Sequence, residues 1–176
     1  MISIENIKKR FGDEEILKGI TTTFDKGKTN LIIGQSGSGK TVLLKCLVGL
    51  FTPEEGEIFY GKEAFKGMDE SRKRHLREEI GMLFQGGALF DSMNIEENVM
   101  FPLRMFTKMT KDEMLHRVND VLNRVNLHNV NHKFPAEISG GMQKRVSIAR
   151  AIVNKPKYLF MGLQYKCCLL ESYFQS

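Results

Sequence analysis

The chain has 176 residues and a formal net charge of +5, with 41% hydrophobic and 27% charged residues. Such a composition is globular rather than disordered, and the length suits one domain with a small insertion, able to bury a core without disulfides or metals. Three cysteines, two of them the adjacent Cys167 and Cys168, are too few for a disulfide framework, so a reducing cytoplasm is the expected compartment. No apolar run approaches the roughly 18 residues that cross a bilayer, and residues 1–5 lack the layout of a secretory signal. The basic residues are scattered. Their densest run, residues 72–77, leads straight into Glu78 and Glu79, as a solvated helix face does, and nucleic-acid binding is not expected.

In chain order, apolar residues 2–7 and 16–24 predict two strands joined around Phe11-Gly12-Asp13. Residues 29–33 are short, apolar and β-branched and stop at Gly34, the signature of a buried parallel strand. Residues 40–50 predict a helix with Leu43, Leu44, Leu47 and Leu50 on one face. A turn at 53–56, a strand at 57–60, a polar helix at 70–79 and a second buried-type strand at 80–84 follow. Residues 92–127 read as mostly helical, with Leu115, Val118, Val121, Leu122 and Val125 at helical spacing. A Pro-to-Gly connection at 135–141 leads into a helix at 142–153, which Pro156 ends, and residues 158–161 form a third apolar strand. Strands alternating with helices predict an α/β fold with a mainly parallel sheet. The stretch from about 88 to 140 is a candidate helical subdomain.

Gly34-Gln35-Ser36-Gly37-Ser38-Gly39-Lys40-Thr41 matches the phosphate-loop pattern G-x4-G-K-[ST], with an apolar strand before it and a helix after it. Gly34, Gly37 and Gly39 let backbone N–H groups turn toward phosphate oxygens, with Ser36 and Ser38 between them. The helix start adds its positive dipole end. Lys40 is expected to reach the β- and γ-phosphates and the Thr41 hydroxyl to ligate Mg²⁺. The bland alternative is a Gly/Ser-rich turn before a helix, but the flanking elements favour a nucleoside triphosphate site. A second glycine-opened helix start lies at Ser139-Gly140-Gly141. Alone, that tripeptide reads as an ordinary N-cap; downstream of a phosphate loop it reads as a second anion site.

Together, Gly34 to Thr41 and Ile138-Ser-Gly-Gly-Met-Gln-Lys-Arg145 resemble the ATP-binding cassette (ABC) ATPases over residues 1 to about 161. The resemblance implies a P-loop NTPase fold with N-terminal antiparallel strands, a mainly parallel sheet and a helical subdomain. It implies ATP and Mg²⁺ as ligands and a head-to-tail homodimer, in which Ser139, Gly140 and Gly141 face the γ-phosphate held by the other copy. Gln85 would then contact Mg²⁺ or the attacking water, and Phe11 would stack on adenine; standing alone, each has a blander reading as a loop amide or a core ring. A transmembrane permease is the implied partner, with the chain peripheral on the inner face of the membrane. The stretch from Gly81 to Leu103, together with Ser-Gly-Gly-Met-Gln-Lys-Arg, is similar to the lipid-asymmetry (Mla-type) phospholipid transport ATPases, in which lipid is handled indirectly. Met100, Phe101, Leu103, Met105 and Phe106 are candidates for permease docking, about half of them for ordinary core.

The chain departs from the family pattern after residue 161. The family follows this strand with an Asp that helps hold Mg²⁺ and a Glu that polarises water; here Gly162-Leu163-Gln164 stands instead. Beyond Asp120 the only carboxylates are Glu137 and Glu171. Residues 162–176 match no family feature, and the later strands, dimer-contact loop and switch His are missing, so a truncated or frameshifted copy is expected; the closing Tyr-Phe-Gln-Ser also resembles a protease-tag remnant. Hydrolysis is expected to be very slow, and the shortened sheet to expose apolar surface unless residues 167–170 fold over it. The alternatives are a non-hydrolysing nucleotide-binding and dimerisation module or a nucleic-acid-handling ABC ATPase.

Overall fold

A computed structural model of the chain describes residues 1–83 and 88–162, and the backbone of 167–171. The described strands form two four-stranded sheets. In the first, β1 (Ile2–Phe11) lies between β2 (Glu14–Phe24) and β4 (Glu55–Tyr60), and the short β5 (Glu63–Ala64) extends the edge beyond β4. All pairings here are antiparallel, and β1 bulges between Ile4 and Ile7. The bulge carries Asn6 at φ 50°, whose N–H is taken up by the Thr21 hydroxyl at 2.9 Å.

In the second sheet the order is β3 (Thr29–Ile32), β8 (Cys167–Glu171), β7 (Tyr158–Gly162) and β6 (Ile80–Leu83). Only β6 and β7 run parallel; β8 is antiparallel to both neighbours. The expected mainly parallel sheet is thus parallel at one pairing among the described residues, while the α/β fold class stands. The reason is chain length. Residues 163–166 alone separate β7 from β8, and a parallel neighbour needs a crossover of a dozen or more residues. The residue 29–33 strand differs from its expectation too. It is half-exposed, pairs antiparallel, and leaves Leu31 43% and Ile33 76% accessible. Backbone 167–171 does fold into the sheet, between β3 and β7.

Helix α1 (Lys40–Leu47) buries Leu43, Leu44 and Leu47, but Leu50 lies beyond its end and is exposed. Gly49 at φ 75° stops the helix there, and the Leu50 N–H returns to the Lys45 carbonyl at 2.8 Å. In α2 (Glu70–Glu78) the basic run is answered by acids: Arg72 pairs with Glu63 at 2.9 Å and Lys73 with Glu70 at 3.3 Å. The central helical stretch divides into α3 (Ile95–Phe106) and α4 (Lys111–Arg124), each opened by a capping box, Asn94 with Glu97 and Thr110 with Glu113. Helix α5 (Gly140–Ile152) begins two residues earlier than the apolar spacing suggests, because Ser139 caps it.

Two buried clusters hold these elements. One gathers Ile2, Ile4, Leu17, Leu43, Leu47, Ile58, Tyr60 and Phe160 from the first sheet, α1 and β7. There Tyr60 donates to the Leu47 carbonyl at 2.5 Å, and burial pushes its phenol well above the usual range. The other gathers Ile95, Val99, Leu103, Val118, Val121, Val146, Ala149 and Leu159 from α3, α4, α5 and β7. Within it, the fully buried Asn98 donates to the carbonyls of Phe90 (3.0 Å), Met93 (2.9 Å) and Asn94 (3.0 Å), and accepts from the Phe90 N–H at 2.8 Å. This one amide fixes residues 90–94 against α3. Replacing it by Ala strands those backbone groups, so N98A is expected to lose about 1–3 kcal/mol of stability in urea unfolding.

Candidate nucleotide-binding site

Strand β3 ends at Ile32 and α1 begins at Lys40, so residues 33–39 form a loop between them. Gly37 and Gly39 sit at φ 81° and 86°, a region a Cβ disfavours. At Gly39 a Cβ would also meet Leu17 at 2.9 Å and Ile16 at 3.0 Å, so β2 lies directly behind the helix start. At Gly34 a Cβ would meet the Ser38 hydroxyl at 2.6 Å, which shows how tightly the loop closes. The Ser38 N–H donates to the Gln35 carbonyl at 3.2 Å. The Lys40 ammonium lies inside the loop, donating to the carbonyls of Gly34 (2.8 Å) and Gln35 (2.6 Å) and to the Ser38 hydroxyl (3.3 Å). The N-cap residue Gly39 has no side chain to cap α1 and no acid occupies the first turn, so the positive end of the helix dipole stands beside a lysine. Ser36 and Thr41 are exposed at this mouth.

Phe11 ends β1 and is 46% exposed. It meets Phe51 edge to face at 5.3 Å, and the Lys9 ammonium stands 5.3 Å from its ring centre. Lys9 is held there by the Thr52 carbonyl at 2.9 Å and Glu54 at 2.6 Å, and the other oxygen of Glu54 accepts the Arg10 N–H at 2.9 Å. The Lys9 hydrogen bond holds the Glu54 carboxyl below its usual range.

The second glycine motif follows a short 3-10 turn, Pro135–Glu137, whose Glu137 accepts the Phe134 N–H at 2.6 Å. Ser139 then caps α5, accepting the Met142 N–H at 3.3 Å. Gly140 and Gly141 are exposed, with open space where a Cβ would stand at Gly140. No acid lies in this first turn either. The Gln143 amide donates to the Pro135 carbonyl at 2.9 Å and the Arg145 guanidinium to the Asn126 carbonyl at 2.9 Å, so the helix start is braced from both sides.

The structure gathers Gly34, Ser36, Gly37, Ser38, Gly39, Lys40 and Thr41 into one loop. It places Ser139, Gly140 and Gly141 elsewhere: α1 is packed into the first cluster and α5 into the second. Gln85 lies outside the described residues. Of the docking candidates, Met100 and Leu103 are core, Met105 is exposed, and Phe101 and Phe106 line a cavity of about 370 Å³ with Phe90, Pro102, Arg150 and Asn154. The sequence reading missed Phe51 and Lys9. Their one signal was an aromatic just past the helix end and a lysine two before Phe11, which no motif marks.

The profile of the ABC transporter family matches residues 17–161. The chain belongs to this family. Among the ABC proteins it resembles, the probable ribonucleotide transport ATP-binding protein mkl of Mycobacterium tuberculosis (strain CDC 1551 / Oshkosh) is 40% identical over 158 residues, covering 90% of this chain and 44% of that one. The methionine import ATP-binding protein MetN of Clostridium tetani (strain Massachusetts / E88) is 40% identical over 159 residues, 90% of this chain and 50% of that one. The chain spans about half the length of these relatives. The ATP-binding cassette MJ0796, solved as a dimer in a post-hydrolysis state bound to ADP and Pi, superimposes with a TM-score of 0.79 at 29% identity, over 92% of this chain and 73% of that one.

ABC membership implies nucleotide binding, generally with Mg²⁺. The phosphate end of the site fits such a ligand: an uncapped helix start, positive-φ glycines and a lysine aimed into the loop. The metal end offers less. Thr41 supplies a hydroxyl, but among the described residues no three His, Cys, Asp or Glu side chains converge. Glu137 is engaged in its own turn.

Two outcomes are expected. G39A forces a Cβ into the left-handed region against Ile16 and Leu17, and thermal denaturation should show about 1–3 kcal/mol of lost stability. The Glu54 carboxyl, held low by Lys9, contributes stability above the ordinary carboxylate range near pH 4.5 and loses it as pH falls through its lower folded value. In K9M that contribution should shrink, the Arg10 N–H still favouring the carboxylate, and the stability–pH profile below pH 4.5 should flatten relative to the unsubstituted chain.

Proposed function

We propose that this chain is the ATP-binding part of a transporter ATPase, and that it binds ATP with Mg²⁺ through Gly34, Ser36, Gly37, Ser38, Gly39, Lys40 and Thr41. The observation that carries the reading is the Lys40 ammonium inside a loop that opens a helix on Gly39, with no side-chain cap from that residue and no acid in the first turn. Backbone amides and Lys40 neutralise the triphosphate, Thr41 gives Mg²⁺ one ligand, and the open face of Phe11 receives the adenine. Bound Mg²⁺ supplies charge neutralisation at the β- and γ-phosphates. Gln85 is the proposed contact to Mg²⁺ or water. Ser139, Gly140 and Gly141 act on the triphosphate of a second copy in a head-to-tail dimer.

Hydrolysis is slow in this reading. A positioned general base contributes about 10²- to 10⁴-fold to rate, and the end of β7 offers Gly162 where the resemblance calls for an acid. Among the described residues, a Cβ at Gly162 would meet the Leu83 carbonyl at an ordinary 3.6 Å.

The permease is the proposed membrane partner, docking at the cavity between Phe90, Phe101, Phe106 and Arg150. No helix among the described residues is long and apolar enough to cross a membrane, and the proposed location is the inner membrane face. Phospholipid is the proposed cargo, handled indirectly through that permease; the support is the similarity of residues 81–103 to lipid-transport ATPases.

Equilibrium dialysis with labelled ATP tests the nucleotide reading: the folded chain should bind about one ATP, and K40A should weaken binding at least tenfold. Equal uptake by both ends the proposal. Phosphate release should lie about 10²- to 10⁴-fold below that of ABC ATPases that keep both acids. G162D should raise the Mg²⁺ dependence of ATP binding.

A further inference from the structure

The two ends of the proposed ATP site are joined by α1. Its first residues, Lys40 and Thr41, belong to the phosphate loop. Its last turn places Phe51, because the Phe51 N–H donates to the Lys45 carbonyl at 3.1 Å and the Lys45 ammonium stands 5.0 Å from the Phe51 ring centre. The Phe51 ring then meets Phe11 edge to face at 5.3 Å, with 69° between the ring planes. The same segment is stitched to β1: the Glu54 N–H donates to the Lys8 carbonyl at 3.0 Å, and Lys9 reaches both Thr52 and Glu54. Lys9, held by those two partners, in turn covers Phe11 from 5.3 Å. Phe11 is therefore held by Phe51 and by the Lys9 ammonium, and still keeps 46% of its surface exposed for a ligand.

We propose that Phe51 is a positioning residue for base recognition, holding the Phe11 ring at a fixed reach from the phosphate loop, with Lys9 closing the rear face so that a purine stacks on one side only. The inference rests on the nucleotide reading above and deepens it. An edge-to-face partner restricts the ring, and a cation beside one face draws π-density away from the other, which suits an electron-rich purine. The described ring and hydrogen-bond partners of Phe51 are Phe11 and Lys45, neither a proposed phosphate ligand, so its effect falls on the base and leaves the triphosphate alone.

The test compares ATP with inorganic tripolyphosphate, a ligand without a base, by isothermal titration calorimetry. F51L keeps the apolar bulk that packs on the core while removing the ring. It should weaken ATP about three- to tenfold and leave tripolyphosphate unchanged. F51Y, which restores a ring, should return ATP affinity to that of the unsubstituted chain, and F11A should erase the preference for ATP over tripolyphosphate. Equal weakening of both ligands in F51L makes Phe51 merely structural and overturns the inference, as does unchanged ATP affinity. If the unsubstituted chain binds tripolyphosphate and ATP equally, the base platform fails while the phosphate loop survives. Binding of neither ligand removes the nucleotide reading and this inference with it.

Discussion

Strand β7 is the member on which the rest of the molecule leans. Successive residues of a strand point to opposite faces, and here Phe160 enters the cluster under the first sheet while Leu159 enters the cluster among α3, α4 and α5. Both are buried, Phe160 completely. One short strand thereby serves as a common wall, and each cluster is completed by the other's neighbour. A polar residue at either position would open a core rather than decorate a surface.

That partition decides where the two glycine-opened helix starts appear. Helix α1 grows from the first cluster and α5 from the second, and each opens on glycines with no acid in its first turn. The starts differ in local design. Gly39 has left-handed dihedrals and no cap, and a lysine fills the loop; Ser139 caps α5 in the ordinary way and leaves two bare glycines exposed. One arrangement closes a loop around a lysine, and the other leaves its first residues bare to solvent; the proposed head-to-tail pairing would set these two starts against each other.

The Phe11–Phe51 contact shows how a local sequence detail gains reach through packing. Phe51 has no motif of its own, yet the turn closed by Gly49 brings it against Phe11, and Lys9 and Glu54 tie that turn to β1. The tie is an exposed ion pair backed by a backbone carbonyl, so its value lies more in geometry than in raw stability.

The sequence alone determined the glycine loop ahead of α1, the cap at Ser139, the apolar face of α4 and most of that of α1, and the element types through β7 apart from the short β5 and the 3-10 turns, because these rest on local chemistry: glycine dihedrals, capping groups and side-chain periodicity. It equally determined that no acid follows residue 161 except Glu171, which is a matter of composition. Partnership was beyond its reach. That β3 is half-exposed and pairs with β8, that β8 runs antiparallel because residues 163–166 are too few for a crossover, and that Leu50 falls outside its helix face all depend on which segments meet. Neither could period or motif reveal Asn98 as the lock on residues 90–94 or Phe51 as the neighbour of Phe11. Those contacts join residues through space, and only the tertiary structure, by choosing which surfaces exclude water together, decides them.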